Sequence, residues 1–331
     1  MTQTLRWGIM ATGLIAETFT KDLATAGLPV TAAGSRSGAK ARAFADAHGI
    51  PAAHGSYEAL VADPNVDVVY VATPHPFHAA CTKLALEAGK HVMVEKPIAM
   101  NAREAREMAA LAEERGLFLM EAMWTRFLPH MTRLNEILEA GTLGRILTLQ
   151  ADHSQRLPDD PNHRLNAMEL GGGALLDLGI YPVSFAWDVL GAPKTLRAVA
   201  RFKETGADAE VAVIATHDTP DGGPALSQLT CASDRTGPNT ARIIGDRAIL
   251  EIEEIWYAPT TLRLLDLDGT VLETFDTRPE GRGMQCQARA VQEAVLSGRT
   301  SDPRMTPAES IRIMEMMDQI RAEIGLKYAA D

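Results

Sequence analysis

The feature that most constrains the fold is a regular alternation of short apolar segments and amphipathic segments over residues 5–120. Val66–Ala72 is rich in β-branched residues and is typical of a buried central strand. Asn101–Arg115 has helical spacing, with Asn101 as its N-cap and Gly116 just past its end. Strands that alternate with helices at this spacing predict a parallel sheet with helices on both faces.

The pattern changes from about residue 123, where consecutive strand-like segments are separated by short turns. Such a run favours an antiparallel or mixed sheet. We therefore predict an α/β chain of two domains. The first is a doubly wound Rossmann domain over 1–123, and the second is an α+β domain with a large open, mainly antiparallel sheet over 124–331. The last helices are free to pack back on the first domain. A sheet face that helices leave uncovered would need a partner subunit.

Composition excludes several classes of function. The net charge of −11 argues against nucleic acid or an anionic membrane as partner. No apolar run is expected to reach the roughly 18–20 residues that cross a bilayer, and the first strand starts too early to leave room for a signal peptide. Three widely spaced cysteines fit a reducing cytoplasm and suit neither a disulfide framework nor a metal site.

The turn after the first predicted strand has the pattern of a nucleotide-binding turn. Against G-x-G-x-x-G/A, Ala11 takes the first glycine position, Gly13 the second and Ala16 the third. The small residue at the second position lets the backbone approach a pyrophosphate, which then faces a helix N-terminus. The match is imperfect, but its place between a strand and a helix favours a dinucleotide site. The predicted contacts are Ala11, Thr12, Gly13, Leu14 and Ile15.

The end of the second predicted strand indicates which nucleotide binds. NAD enzymes usually carry Asp or Glu there for the ribose 2′-hydroxyl. This chain instead has Ser35, Arg36 and Ser37, with Lys40 one turn into the next helix. A carboxylate repels a 2′-phosphate, whereas a guanidinium binds it through two hydrogen bonds. We therefore favour NADP over NAD. The alternative is that Arg36 is an ordinary solvated loop residue.

Lys96 is the strongest candidate for chemistry in the first half of the chain. It follows the apolar run His91–Val94 and Glu95, at the carboxyl end of a predicted parallel strand. Open α/β sheets bind their ligands at that end, and lysine is almost never fully buried without a partner or a task. We therefore expect Glu95 and Lys96 at the nucleotide cleft.

A second candidate centre is the glycine-rich segment Gly171–Pro182. Asp177 and Tyr181 are four residues apart and share a face if this segment is helical. Pro182 lacks a backbone donor, so the helix is expected to kink there or to restart there. On these residues alone, a purely structural interpretation with Asp177 as a cap and Tyr181 as a packing residue is equally open.

Four motifs in order along the chain resemble the Gfo/Idh/MocA oxidoreductase family. They are Gly8–Ala16, Glu95-Lys96-Pro97, Met120–Phe127 and Gly172–Tyr181. The resemblance is greatest to the branch of dimeric dihydrodiol dehydrogenases and NADP-dependent D-xylose dehydrogenases, which has Tyr where most relatives have His. It implies a Rossmann domain and a C-terminal domain whose open sheet forms the interface of a homodimer or homotetramer.

The resemblance also implies which residues form the site. Lys96 matches the active-site lysine, and Asp177 and Tyr181 match the family's Asp-x-x-x-His pair. Thr73–His78 resembles the cofactor-contacting loop after the fourth strand, although many relatives have Asn at the His75 position. The peptide bond before Pro97 is expected to be cis. The remaining implied cofactor contacts are Thr73, Pro74, His75, His78, Glu95, Lys96, Trp124 and Arg126.

The expected reaction is reversible oxidation of a secondary alcohol or anomeric hydroxyl of a sugar or diol, with Tyr181 as the base. Free tyrosine has a pKa of about 10, and a nearby lysine ammonium would lower it by favouring the phenolate. Lys96 would also stabilise the developing alkoxide, and Asp177 would orient one of the two or hold a substrate hydroxyl. The roles of Lys96 and Tyr181 are interchangeable at this level, since a desolvated lysine can itself be a base.

Other functions stay open on the sequence alone. A non-catalytic NADP-binding regulator would be expected to lack the lysine or the tyrosine, and both are present. A shuttle between two sugars with a tightly held cofactor, or a reductase of a non-sugar substrate, is compatible with the same residues. His153 and His163 could contact substrate but are more simply ordinary loop or surface histidines. The choice of substrate is expected to depend on the shape of the loops at 155–168 and 230–240. No sequence motif predicts that shape.

Overall fold

The computed structural model describes residues 4–219, 223–329 and 331. The chain divides into two compact units, one of residues 1–127 and 280–311 and the other of residues 128–279 and 312–331. The first unit thus extends past the predicted domain boundary at residue 123 and also includes the later segment 280–311. That segment is fixed by Asp22, whose carboxylate accepts hydrogen bonds from the backbone N–H groups of Arg282 (3.0 Å) and Met284 (2.7 Å).

The described residues form regular elements that we number in chain order. The strands are β1 (Trp7–Met10), β2 (Val30–Gly34), β3 (Ala52–His54), β4 (Val68–Val71), β5 (His91–Val94), β6 (Leu119–Glu121), β7 (Ile146–Ser154), β8 (Pro193–Phe202), β9 (Asp208–Asp218), β10 (Pro224–Ala232), β11 (Ala241–Gly245), β12 (Ile249–Ile252), β13 (Leu262–Leu265) and β14 (Val271–Phe275). The α-helices are α1 (Leu14–Thr25), α2 (Gly38–His48), α3 (Tyr57–Val61), α4 (His78–Glu87), α5 (Ala102–Arg115), α6 (Pro129–Glu139), α7 (Ile180–Leu190), α8 (Gln285–Leu296) and α9 (Pro307–Ile324).

The first unit contains the parallel sheet that the alternation predicts. Its strand order is β3-β2-β1-β4-β5-β6, and neighbouring strands are parallel. The chain order reverses between β1 and β4, so the carboxyl ends of these strands flank the switch point where such sheets bind ligands. The short elements β3 and α3 and the later helix α6 were not predicted, because their segments are too short or too mixed to show a clear period.

The second unit is built on an eight-stranded sheet of order β14-β13-β12-β11-β7-β10-β9-β8. β7 and β10 pair in parallel, and the other described neighbours are antiparallel. Helix α7 packs on one face of this sheet. The opposite face carries apolar side chains at Val199, Ile214 and Leu226, which are 71%, 58% and 41% exposed in the single chain. The predicted open, mainly antiparallel sheet is confirmed.

One segment corrects the expectation about membrane spans. Met168–Leu190 is long and apolar enough, by length and composition, to cross a bilayer. However, 83% of its most apolar window is buried within the protein. The segment includes α7, which contacts β7 and β10, so its hydrophobicity is accounted for by core packing.

Candidate active site

The nucleotide turn lies at the carboxyl end of β1, where three residues connect the strand to α1. Ala11 has a left-handed φ of 79°, which is uncommon for a residue with a side chain. Gly13 is the N-cap of α1, makes no side-chain cap, and has no atom within 4 Å of the place a Cβ would occupy. The N–H groups of the first helical turn therefore lack a side-chain acceptor. A diphosphate fits such a helix end.

The residues after β2 are arranged to receive a further negative charge. Ser35 is buried, and its hydroxyl accepts the Ser37 N–H (3.3 Å). The exposed Arg36 places its guanidinium 5.4 Å from the centre of the Phe77 ring, within the range of a cation–π contact. Among the residues that the structure describes, neither Arg36 nor Lys40 forms an ion pair with a carboxylate. Both charges can serve a 2′-phosphate, which fits the choice of NADP.

Lys96 is half-buried just beyond β5, between neighbours that are fully buried. The preceding Glu95 is buried, and its carboxylate accepts hydrogen bonds from the Tyr70 phenol and from the Lys96 N–H (3.3 Å). The Lys96–Pro97 peptide bond is cis, as expected. The backbone that carries the lysine is thus held on its N-terminal side by a buried carboxylate.

Two further side chains hold the backbone on the C-terminal side of this lysine. The fully buried ring of His78 contacts the Pro97 carbonyl through Nδ1 and the Thr73 carbonyl through Nε2, both at 2.8 Å. Glu121, at the end of β6, accepts the Ile98 N–H at 3.0 Å. Burial raises the pKa of Glu121 to about 7. His78 therefore supports two loops, and its predicted contact with the cofactor stays a prediction.

The other expected cofactor residues of the first unit occupy different environments. Trp124 is buried, with the guanidinium of Arg282 5.1 Å from its ring. Arg126 is also buried, and it donates hydrogen bonds to the Glu309 carboxylate (2.7 Å) and the Arg304 carbonyl (2.9 Å). These bonds hold Arg126 within its own unit, and the predicted cofactor contacts of Trp124 and Arg126 stay predictions.

The cofactor loop after β4 contains the remaining predicted contacts. Thr73 and His75 are buried, whereas Pro74 is partly exposed. The His75 ring lies edge-on to the His78 ring, with 5.7 Å between their centres. The contacts of these three residues with a cofactor stay predictions.

In the second unit, Asp177 and Tyr181 lie in one continuous helical segment. A π-helical turn, Leu175–Gly179, leads directly into α7. The helix neither breaks nor restarts at Pro182, because the wider turn before it accommodates the missing backbone donor. Asp177 lies 3.6 Å from the guanidinium of Arg164 in an ion pair, and Tyr181 is buried. Both residues thus lie in the same helical segment, and their joint action in a site stays a prediction.

Tyr181 belongs to an aromatic cluster that sequence reasoning missed. The His153 ring lies edge-on to Tyr181, with centres 4.8 Å apart, and stacks on Tyr257 at 3.6 Å. Gln155 donates to the Tyr257 hydroxyl (3.0 Å) and lies 2.8 Å from Nε2 of His153. Interpreting His153 as a loop or surface residue was wrong, since it is buried in β7. The strand-like alternation that ends at His153 could have indicated that this residue is buried. No sequence pattern indicated that Tyr257 belongs to the cluster.

Comparisons with known proteins agree with this geometry. The oxidoreductase family with an NAD-binding Rossmann fold matches residues 5–123, and the GFO/IDH/MocA C-terminal domain matches residues 131–251. The trans-1,2-dihydrobenzene-1,2-diol dehydrogenase of Mus musculus is 39% identical, over 99% of each chain. The aldose-aldose oxidoreductase of Caulobacter crescentus superposes with a TM-score of 0.87, at 25% identity over 97% of each chain. A 3-ketoreductase of Actinomadura kijaniata in complex with NADP and TDP-benzene superposes with a TM-score of 0.83. It is 29% identical, over 97% of this chain and 98% of that one.

Proposed function

This chain belongs to the Gfo/Idh/MocA oxidoreductase family, and from that premise we propose that it is an NADP-dependent dehydrogenase or reductase acting on a CH–OH group of a sugar or diol. The observation that carries the proposal is the placement of Lys96. It lies at the carboxyl end of β5, at the same edge of the sheet as the nucleotide turn after β1, with β4 between the two strands. Its backbone is held by Glu95, His78 and Glu121. Such precise support suits a charged group that acts in chemistry.

The residues present fit the cofactor. The turn at Ala11–Ile15 would hold the diphosphate, and Ser35, Arg36, Ser37 and Lys40 would surround the 2′-phosphate. When bound, NADP supplies or accepts the hydride at its nicotinamide ring. The chain itself then has to bind and orient the alcohol and to move its hydroxyl proton.

We assign that proton transfer to Tyr181 and Lys96. Tyr181 takes the proton from the substrate hydroxyl as the carbinol carbon is oxidised, and returns it in the reverse direction. The Lys96 ammonium stabilises the phenolate and the developing alkoxide. Asp177, beside Arg164, would orient the substrate through a second hydroxyl. Exchanged roles for Lys96 and Tyr181 are a variant of the same scheme.

The function is tested with a panel of aldoses, cyclitols and trans-dihydrodiols, followed by NADPH fluorescence, with NAD run beside NADP. We expect NADP-dependent turnover of at least one sugar or diol. NADPH binding without turnover of any member would instead indicate a regulator. Nucleotide that stays bound through purification would indicate a shuttle between two sugars.

Replacement of Arg36 should weaken NADP binding selectively. We expect Arg36→Ala to raise the KM for NADP by roughly 10-fold or more and to leave the KM for NAD nearly unchanged, because only NADP carries the 2′-phosphate. Steady-state kinetics with both nucleotides measures this. Arg42→Ala is the matched control, since Arg42 pairs with Asp46 on the exposed side of α2. Equal effects on both nucleotides would refute the assignment.

We further propose that the exposed sheet face of the second unit forms a homodimer, or a tetramer that contains it. Val199, Ile214 and Leu226 alternate with less exposed residues on three adjacent strands and present an apolar surface. Ile214→Asp should shift the protein to a smaller species in sedimentation velocity, whereas Leu296→Asp, on α8, should not. An unchanged sedimentation coefficient for Ile214→Asp would contradict this interface.

A cytoplasmic location is the last part of the proposal. Cys81, Cys231 and Cys286 are all free thiols, and two of them are buried. Unpaired thiols are typical of a reducing compartment. Cell fractionation that recovered the protein from an oxidising compartment would contradict it.

A further inference from the structure

The π-helical turn with Asp177 is preceded by a glycine loop, Gly171–Gly173, that two distant side chains hold. Asp208, at the start of β9, accepts the backbone N–H of Leu175 through Oδ2 at 2.6 Å. Tyr328, in the segment after α9, donates its phenol hydrogen to the Gly172 carbonyl at 2.8 Å. Both side chains are buried, with 0% and 5% exposure.

The packing at this loop leaves no room for a side chain at Gly173. Gly173 has a φ of +134°, a conformation that residues with side chains rarely adopt. A Cβ there would lie 2.0 Å from Oδ1 of Asp208 and 3.2 Å from the Tyr328 hydroxyl. The carboxyl group and the phenol therefore pack directly on the backbone of the glycine loop.

The charges and donors at the loop are consistent with this arrangement. Asp208 is a carboxyl group at the N-terminal end of a helical segment, where a negative charge is favourable. Burial raises the pKa of Asp208 to about 6, so the carboxylate form prevails above that pH. Burial and the neighbouring Asp208 raise the pKa of the Tyr328 phenol well above its usual range. Tyr328 therefore remains a protonated donor.

Tyr328 is itself fixed by its own segment. Its backbone N–H donates to the Asp331 carboxylate at 2.8 Å, and that carboxylate accepts two hydrogen bonds of 2.8 Å from the Arg321 guanidinium. The same guanidinium lies 5.5 Å from the centre of the Tyr328 ring. These contacts of Arg321 and Asp331 direct the Tyr328 phenol to the glycine loop.

We infer that Asp208 and Tyr328 are positioning residues for Tyr181, acting through the backbone of the glycine loop and the π-helical turn. The inference rests on the proposed function, since Tyr181 is the proton-transfer group there. Neither residue needs to touch substrate or cofactor. A misplacement of about 1 Å at a reacting group can cost on the order of 100-fold in rate, so the loss of one anchor should reduce kcat measurably while leaving the nucleotide turn of the other unit intact.

The first test is Tyr328→Phe, which removes one hydroxyl and keeps the ring. We expect kcat to fall by about 10-fold, with the NADPH Kd unchanged within about two-fold and with faster hydrogen exchange of the backbone amides of Leu175–Leu178. Thr260→Val is the matched control, because Thr260 is also buried and donates its hydroxyl to a carbonyl, that of Glu254 (3.0 Å). It should leave kcat and the exchange of Leu175–Leu178 unchanged.

The second test is rescue at Asp208. Asp208→Asn retains a side-chain oxygen for the Leu175 N–H and should keep more of the wild-type kcat than Asp208→Leu, which has no acceptor. Thermal melts verify that the variants compared are folded. A kcat of Tyr328→Phe within about two-fold of wild type, or equal losses in folded Asn and Leu variants, overturns the inference.

Failure of the proposed function gives a different result. If the wild-type protein turns over no sugar or diol, the proposed function fails while hydrogen exchange still tests the anchors. Unchanged exchange at Leu175–Leu178 in Tyr328→Phe would then overturn the inference on its own, and faster exchange would support the anchoring that it requires.

Discussion

We expect Lys96→Met to lower kcat by on the order of 100-fold or more and to change the NADPH Kd far less. Methionine keeps much of the length and the apolar stem of lysine but has no charge, so the variant isolates the ammonium. The hydrogen bonds that the side chains of Glu95, His78 and Glu121 form with the backbone do not depend on the side chain at position 96, so they should remain. The loss should therefore fall on the chemical step, as single-turnover kinetics with bound NADPH would show.

The control for this prediction is Lys83→Met, the same exchange at an exposed lysine of α4 that pairs with Glu107 (3.0 Å). It should stay within about two-fold of wild type, since an exposed ion pair contributes little. A nearly normal kcat for Lys96→Met would remove this lysine from the mechanism. A loss confined to NADPH binding would make it a cofactor-binding residue only.

Tyr181→Phe is also expected to lower kcat by on the order of 100-fold or more. The ring contacts with His153 and Tyr257 should remain, because phenylalanine differs only by the hydroxyl. The change therefore removes the proposed proton-transfer group and should leave the packing of α7 in place. Initial rates over a range of pH, with thermal melts in parallel, separate the loss of the hydroxyl from loss of structure.

Tyr257→Phe is the discriminating comparison for this second prediction. It removes a phenol in the same cluster whose hydroxyl accepts a hydrogen bond from Gln155 (3.0 Å) and donates a longer one to Asn239 (3.5 Å). We expect less than about a five-fold loss in kcat, because only neutral hydrogen bonds are removed. A larger loss in Tyr257→Phe than in Tyr181→Phe would transfer the proton-transfer role to Tyr257.

The sequence sufficed for the parallel sheet and for the location of Lys96. Strands such as Val68–Val71 and His91–Val94 are buried on both faces, so they appear as apolar runs that a helical or alternating period would not produce. The carboxyl end of such a run predicts where a residue can face a ligand, which is the position of Lys96 after His91–Val94. Asp177 and Tyr181 were also within reach, because both lie in a single helical segment.

The side chains that hold the backbone of the candidate site could not be predicted from the sequence, because their partners are distant in the chain. Glu121 contacts Ile98, and Tyr328 contacts Gly172, only once the strands and helices are placed. A polar residue in an apolar run looks the same whether it faces a ligand or a buried carbonyl. His78 illustrates this, since the family motif suggested a cofactor contact and the structure turns both ring nitrogens to backbone carbonyls.

We propose that the Lys96 ammonium and the Tyr181 hydroxyl meet beside the nicotinamide. A crystal structure of the protein with NADP would give the distance from Nζ of Lys96 to Oη of Tyr181. We predict about 3–6 Å, direct or bridged by one water, with both atoms directed at the nicotinamide ring. A separation of more than about 10 Å, or either group directed away from that ring, would contradict the account, because neither could then share the proton of one hydroxyl.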